Sequence, residues 1–249
     1  ALGRTSVQGR VVFAPGEPRP RVTANLSGPV VDLSELPSLQ PKAGATSPLL
    51  AADVDADMRF DRVVLPDRRA LGPVSGTARV TAGAVELKQF NIAVDGASAT
   101  LDGKIKDPLT PAALELMVNA KVTRSAGLAA FTGLRLQNLP AFTAGGKLTD
   151  VPGGYALAGL KLATAAATLA GDVAVTRGTK RFKISAKANS PLLDVSAFLP
   201  AAAGSVAKPV ARSARVIPDV PLPLDVLRAV DADLDLRFDT VKTGEAAPL

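Results

Sequence analysis

The residues of this chain best placed to do chemistry are carboxylates. Asp53, Asp55 and Asp57 stand in DVDADMRFDRV (53 to 63), and Asp231, Asp233 and Asp235 stand in its near copy DADLDLRFDTV (231 to 241). An Asp-x-Asp-x-Asp spacing opens a calcium loop, but that loop needs a glycine at its sixth position and a bidentate glutamate at its twelfth. Neither stretch has them. On a strand, the three carboxylates would project from one side over about 13 Å, too far apart to share one ion. The spacing therefore predicts a solvated acidic face, with Arg59 and Arg237 offsetting part of its charge and no metal bound.

Other chemistries are excluded by what the sequence lacks. With no Cys and no His, Ser-His-Asp and Cys-His catalysis and the usual zinc ligands are gone, and the redox compartment is left open. A Ser-x-x-Lys at Ser205 to Lys208 and a Lys-Thr-Gly at Lys242 to Gly244 echo penicillin-recognising enzymes. The middle Ser-x-Asn element is missing, and the two pieces lie too close together to hold a helical domain. No phosphate-binding glycine loop occurs. The expectation is a protein that is not an enzyme and carries no cofactor.

The formal charge of +6 and pI near 9.8 favour anionic partners: phospholipid headgroups, lipopolysaccharide or nucleic acid. Nucleic acid is set aside, because single-strand binders need stacking rings and this chain has eight Phe, one Tyr and no Trp. Hydrophobic residues still make up 47%, mostly Ala, Val and Leu, a composition suited to lining a long smooth surface. No run of about 20 apolar residues is present to span a bilayer. The chain opens at Ala1 without a signal peptide, as a piece of something longer whose anchor would lie upstream.

The elements that must position these residues are strands in repeats. In both acidic stretches the alternate residues are apolar: Val54, Ala56, Met58 and Phe60 in the first, Ala232, Leu234, Leu236 and Phe238 in the second. Val7, Gly9, Val11 and Phe13 recur as Leu101, Gly103, Ile105 and Asp107 at an offset of 101 − 7 = 94, and as Leu169, Gly171, Val173 and Val175 at 169 − 7 = 162. Val22, Ala24 and Leu26 follow at the same offsets. Each copy, near 5–34, 99–128 and 167–196, reads as two strands joined by a turn, at Pro15-Gly16, Asp107-Pro108 and Arg177-Gly178. The shared glycine, on the apolar face, marks a bend or a close packing approach, with room for an acyl chain as the alternative.

Val85, Leu87, Phe90 and Ile92 recur as Tyr155, Leu157, Leu160 and Leu162 at an offset of 155 − 85 = 70. Their apolar positions step by two, three and two, so a β-bulge is predicted at Lys88-Gln89 and again at Ala158-Gly159. Asp95-Gly96 predicts a tight hairpin. SGPVVDLS (27 to 34) matches NSPLLDVS (189 to 196); there Pro29 and Pro191 break the ladder, and Asp32 or Asp194 caps a short helix containing Leu36 or Phe198. Pro/Ala-rich connections follow at 37–50 and 199–223. Further short helices are predicted over 125–131 and 224–230.

The fold class is mainly β: a repeating antiparallel meander with a few short helices, forming one unit over 1–249. Two stacked sheets would bury the apolar face, but large side chains are scarce and the bulges recur at matched positions, so a sheet curled into an elongated open groove is predicted. Its lining would be Val54, Ala56, Met58, Phe60, Leu87, Phe90, Ile92, Leu157, Leu160, Leu162, Leu234, Leu236 and Phe238. A trough of this kind suits an acyl lipid.

PLPLDVLRAVDADLDLRFDTVK (221 to 242), LLAADVDADMRFDRV (49 to 63), the ATLxG elements at 99–103 and 167–171, and NSPLLDVSAFL (189 to 199) resemble the AsmA family of bacterial envelope proteins. Members resemble bridge-like lipid-transfer proteins. The resemblance implies an inner-membrane anchor outside this segment, a periplasmic β-groove, and phospholipid transport between inner and outer membrane in outer-membrane biogenesis, with envelope proteins as partners. It supplies no catalytic residues. The alternative reading is a scaffold that assists assembly of outer-membrane β-barrel proteins by strand addition at its sheet edges.

Overall fold

The computed structural model describes residues 3–35, 51–108, 112–132, 140–178, 181–194 and 230–242. The strands are β1 (Ser6–Ala14), β2 (Arg21–Asp32), β3 (Asp53–Val64), β4 (Ala70–Leu71), β5 (Val74–Thr81), β6 (Ala84–Val94), β7 (Ala97–Asp107), β8 (Ala112–Val122), β9 (Phe142–Val151), β10 (Gly154–Thr164), β11 (Thr168–Arg177), β12 (Phe182–Ser190), β13 (Leu193–Asp194), β14 (Val230–Phe238) and β15 (Val241–Lys242). Helix α1 (Ser125–Thr132) and a 3₁₀ turn (Leu33–Glu35) join them. Thirteen strands make one sheet in the order β1-β2-β3-β5-β6-β7-β8-β9-β10-β11-β12-β14, with β4 attached beside β3 and β13 pairing β15 separately. The sheet is an elongated meander whose outermost strands, β1 and β14, are not joined. It is an open curled groove and not a barrel.

Sequence-adjacent strands pair because their turns are short. Val94 faces Ala97 across Asp95-Gly96, where Gly96 has φ +71, as the hairpin motif predicts. Two joins of the long sheet depart from the expected antiparallel pattern, β2 with β3 and β12 with β14, and the separate β13–β15 pair is parallel as well. A parallel pair needs a crossover of a dozen residues or more, and the long connections after Asp32 and after Asp194 provide that length. The predicted loops at 37–50 and 199–223 lie outside the described residues, as do Leu36, Phe198 and residues 224–229. Val230, placed in a short helix by its sequence pattern, instead opens β14.

The 162-residue repeat holds to the residue. Gly9 pairs with Leu26 and Leu26 with Met58; Gly171 pairs with Ala188 and Ala188 with Leu236. Adding 162 to the first strands and 236 − 58 = 178 to β3 converts one set into the other. The same arithmetic carries Val31 facing Val63 into Leu193 facing Val241. The middle copy is different. Gly103 pairs with Leu116, where the repeat would place Ala120 at 26 + 94 = 120, so this hairpin is slipped by four residues. An even slip keeps every side chain on its face, and the alternation pattern therefore does not register it.

Both predicted bulges are present. Gln89 has φ +47 and donates its N–H to Asp102 Oδ1 at 2.7 Å; Gly159 has φ +61 and donates to Asp172 Oδ1 at 2.8 Å. The spacing 172 − 102 = 70 equals 159 − 89 = 70, so the structural repeat here is 70 residues. The ATLxG likeness runs at 167 − 99 = 68, two residues out of structural register.

A Cβ built on Gly9, Gly103 or Gly171 would sit about 2 Å from a carbonyl oxygen of the neighbouring strand, with φ +153 at Gly9 and +139 at Gly103. Close backbone approach, and not space for a ligand, explains these glycines.

A buried hydrophobic cluster lies along one margin of the sheet. Val31, Phe60, Val63 and Val74 are buried together, with Leu33 of the 3₁₀ turn, Leu71 of β4, Met58, Phe90 and Ile92 packed against them. Asp32 Oδ1 caps the turn by accepting the Ser34 N–H at 3.0 Å, the role its sequence position predicts. Glu35 then ties down the start of the chain by accepting the N–H groups of Arg4 and Thr5 at 2.8 and 3.1 Å. Further along the same margin, Arg69 stacks on the Phe131 ring of α1 at 4.9 Å and donates to the Phe131 carbonyl. Among the described residues the one side chain less than 2% exposed is Ser190, as expected of a single-layered sheet.

Candidate functional site

Cross-strand partners share a face, so the registers can be followed from strand to strand. One row runs Val11, Ala24, Ala56, Ala78, Leu87, Gly103, Leu116, Leu148, Leu157, Val173, Ala186, Leu234, one residue from each of twelve strands without interruption. A second row contains Met58, Phe90, Leu101, Val118, Leu160 and Leu236, and is stepped at each bulge. A third passes through Phe60, Val74, Ile92, Ala99, Ala120, Ala144 and Leu162, and reaches Phe238 on β14. The fourth includes Val54, Val80, Val85, Ile105 and Leu114, and resumes at Tyr155, Val175 and Ile184. All thirteen candidate lining residues stand in these four rows, on one face. The bulges make this possible, because each absorbs the residue that would otherwise put Phe90 or Leu160 on the wrong side.

The rows are not equally open. Phe60 is 7% exposed inside the core cluster, with Met58, Phe90 and Ile92 packed on it. Its expected role as open lining is corrected: the 3₁₀ turn and β4 close over that end of β3, and the ring holds the margin together. Leu234 and Leu236 are 52% and 43% exposed. Along the opposite margin, on the same face, Phe13, Tyr155 and Phe182 are exposed. These three aromatics are the feature missed by sequence reasoning, although Tyr155 and Phe13 both stood in its repeats. The apolar face is thus walled along the Phe60 margin, whereas along the other margin Val80 and Leu114 are buried in the middle of the sheet and the exposed aromatics stand towards its two ends.

The other face is polar, and several of its carboxylates are paired with basic side chains. Asp55 lies between Arg21 at 3.1 Å and Arg79, whose guanidinium is held above its usual pKa by the hydrogen bond to Asp55. Asp53 lies 3.9 Å from Arg19 and accepts the Ala82 N–H. The counter-charges of the first acidic stretch therefore come from β2, β5 and the turn before β2 and not, as expected, from Arg59; in the second, Arg237 does lie 3.8 Å from Asp235. The Lys147 ammonium of β9 hydrogen-bonds Glu115 of β8 at 2.8 Å and holds its carboxyl below the usual range. Most of these pairs are substantially exposed, so solvent screens them and each adds little to stability.

A depression on this face, beside the first bulge, is lined by Asp57, Thr77, Lys88, Gln89 and Asp102. Its groups already serve the bulge and the strand ladder. Among the described residues no cluster of three or more carboxylates is close enough to hold a metal ion, and no helix is long and apolar enough to cross a membrane.

The face presents apolar surface at many equivalent places, interrupted near one margin by Asp150, which pairs with Tyr155 and accepts the Leu114 N–H. Comparisons with protein-family models, with curated proteins and with solved structures find no match.

Proposed function

We propose that the protein shields the acyl chains of a phospholipid or similar lipid on its apolar face while its polar face meets water. The observation that carries this reading is the unbroken apolar row across twelve strands on one side of a single sheet. At about 4.8 Å per strand those rows extend some 50 Å, and four rows at about 6.8 Å spacing make a strip about 20 Å wide. Each methylene taken from water contributes about 0.8 kcal/mol, so chains can be held anywhere along the strip without a headgroup site. The exposed aromatics Phe13, Tyr155 and Phe182 mark the side by which chains enter. The positive net charge favours anionic headgroups.

This chemistry agrees with the AsmA-like resemblance of the 221–242 segment and with its implied setting: a periplasmic groove, anchored to the inner membrane outside this segment, in phospholipid transport toward the outer membrane. Mass spectrometry of lipids copurified with the protein tests the reading. Stoichiometric acyl lipid supports it, and a reproducibly empty, folded protein overturns it.

The outer edges of β1 and β14, unpaired among the described residues, favour one other reading, a scaffold that adds strands of outer-membrane β-barrel proteins. Crosslinks from β1 to an unfolded barrel protein, in a lipid-free preparation, would favour it.

A further inference from the structure

Charge on the polar face follows the strand register. From β3 to β8 one row reads Asp55, Arg79, Glu86, Lys104, Glu115, alternating in sign strand by strand. From β11 to β14 another reads Asp172, Lys187, Asp235. Each cation in these rows has a carboxylate directly opposite, the arrangement that favours cross-strand pairing. On β8 and β10 the alternation stops. Lys121 stands between Ser98 and Thr143, and Lys161 between Gly145 and Ala170, so neither faces a carboxylate on a neighbouring strand. The carboxylate diagonal to Lys161, Asp172, accepts the Gly159 N–H and stands opposite Lys187.

The two lysines border one depression. It measures about 820 Å³, within the size range of small-ligand sites, and no carboxylate lines it among the described residues. Its centre is Gly145. Asn119 and Lys161 flank that residue on the neighbouring strands, Thr143 and Lys147 lie on either side of it along β9, and Lys121 stands opposite Thr143. With about 4.8 Å between strands and about 6.8 Å between alternate residues, the backbones of Lys121, Lys147 and Lys161 all lie within about 8 Å of Gly145. The glycine keeps the space between them open, since a Cβ there would come within 2.8 Å of Asn119 Oδ1. Met117, exposed on the same face, gives the depression an apolar wall.

We propose that this depression binds a phosphate monoester, with Lys121 and Lys161 balancing the phosphate and Asn119 and Thr143 donating to its oxygens. A monoester carries a charge of about −1.5 to −2 near neutral pH, which matches two ammonium groups, whereas a carboxylate would balance only one. Lys147 adds less, because its ammonium already bonds Glu115. The organic part of the ester lies against Met117. The occupant is a discrete molecule and not a bilayer: the same face carries the acidic strands β3 and β14, which an anionic surface spanning the sheet would meet and be repelled by. The site lies on the opposite face from the lipid lining and does not rest on that reading.

Glycerol phosphate is the probe. Titrated into the isotope-labelled full chain, it should shift the amide resonances of Asn119, Gly145 and Lys161 saturably, and glycerol should not. Lys121→Gln and Lys161→Gln should each weaken binding by about tenfold, the worth of one charge-assisted hydrogen bond. Lys183→Gln, opposite Asp231, should leave it unchanged. Both site lysines are exposed, so the spectra of the variants should otherwise superimpose on that of the parent. Shifts that never saturate, or equal losses in all three variants, overturn the proposal in favour of general ion screening. Flotation with phosphatidylglycerol vesicles that depends on Lys121 and Lys161, without saturable binding of the soluble ester, also overturns it, because the ligand would then be a membrane surface.

Discussion

A single carboxylate moved by one residue separates a lining from a mere sheet. Leu157 lies in the unbroken apolar row, half-buried, in the middle of β10; Ala156 precedes it and points to the polar face beside Thr149 and Ala174. Leu157→Asp and Ala156→Asp therefore add the same charge to the same strand on opposite faces. An acyl chain crossing position 157 must strip water from the carboxylate or go around it, a cost of about 1 to 3 kcal/mol on the scale of protein substitutions. At 1.4 kcal/mol per tenfold, lipid affinity should fall about 5- to 150-fold in Leu157→Asp. Ala156→Asp should bind as the parent does. The assay is displacement of a fluorescent acyl probe by phospholipid, with circular dichroism melts to show that both variants fold. Equal losses in the two variants, or no loss in either, would refute the assignment of the apolar face as the binding surface.

Three further outcomes follow from packing and charge. Phe60→Ala should destabilise by about 3 to 5 kcal/mol, because the ring sits in the core cluster, whereas Phe13→Ala should change stability by less than about 0.5 kcal/mol; urea unfolding reads both. Gly103→Ala forces a Cβ onto the Glu115 carbonyl at φ +139 and should cost about 1 to 3 kcal/mol, seen as a lower Tm, and an unchanged Tm would show that β8 can step aside. The carboxyl of Asp32 is lowered chiefly by the Ser34 hydroxyl and that of Glu35 by the Arg4 N–H. Groups depressed on folding contribute stability above their unfolded values, about 3.9 and 4.3, and lose it as pH falls through the lower folded values. Hydrogen exchange at the Arg4 and Thr5 amides should therefore accelerate below about pH 4, and protection that persists through full carboxyl protonation would contradict the tether.

Alternation made the faces legible. Leu87, Phe90, Leu157 and Leu234 could be placed on one side because a strand has a period of two, and the two-three-two step gave away the bulges. Partner identity was not legible, since Gly103 facing Leu116 and Gly103 facing Ala120 leave the same pattern behind. Direction was hidden as well. Nothing in the alternation of Asp53 to Phe60 tells whether β2 beside it runs with it or against it; that depends on how the 33–52 connection crosses the sheet. Nor did the pattern distinguish Phe60 from Leu236. Both are apolar residues on alternating strands, and only the arrival of Leu33 and Leu71 over the end of β3 makes one a core residue.

The bulges at Gln89 and Gly159 have a consequence for how such a chain can change over generations. A strand is written in a reading frame of two, and each bulge is a one-residue insertion that the fold absorbs without shifting the frame. Deleting Gln89 would leave Leu87 and Phe90 two places apart, still on the same side, and would remove only the bend. Curvature can therefore be altered one residue at a time while the greasy surface keeps its text, and the length of a hairpin can drift in even steps, as the β7–β8 pair already has.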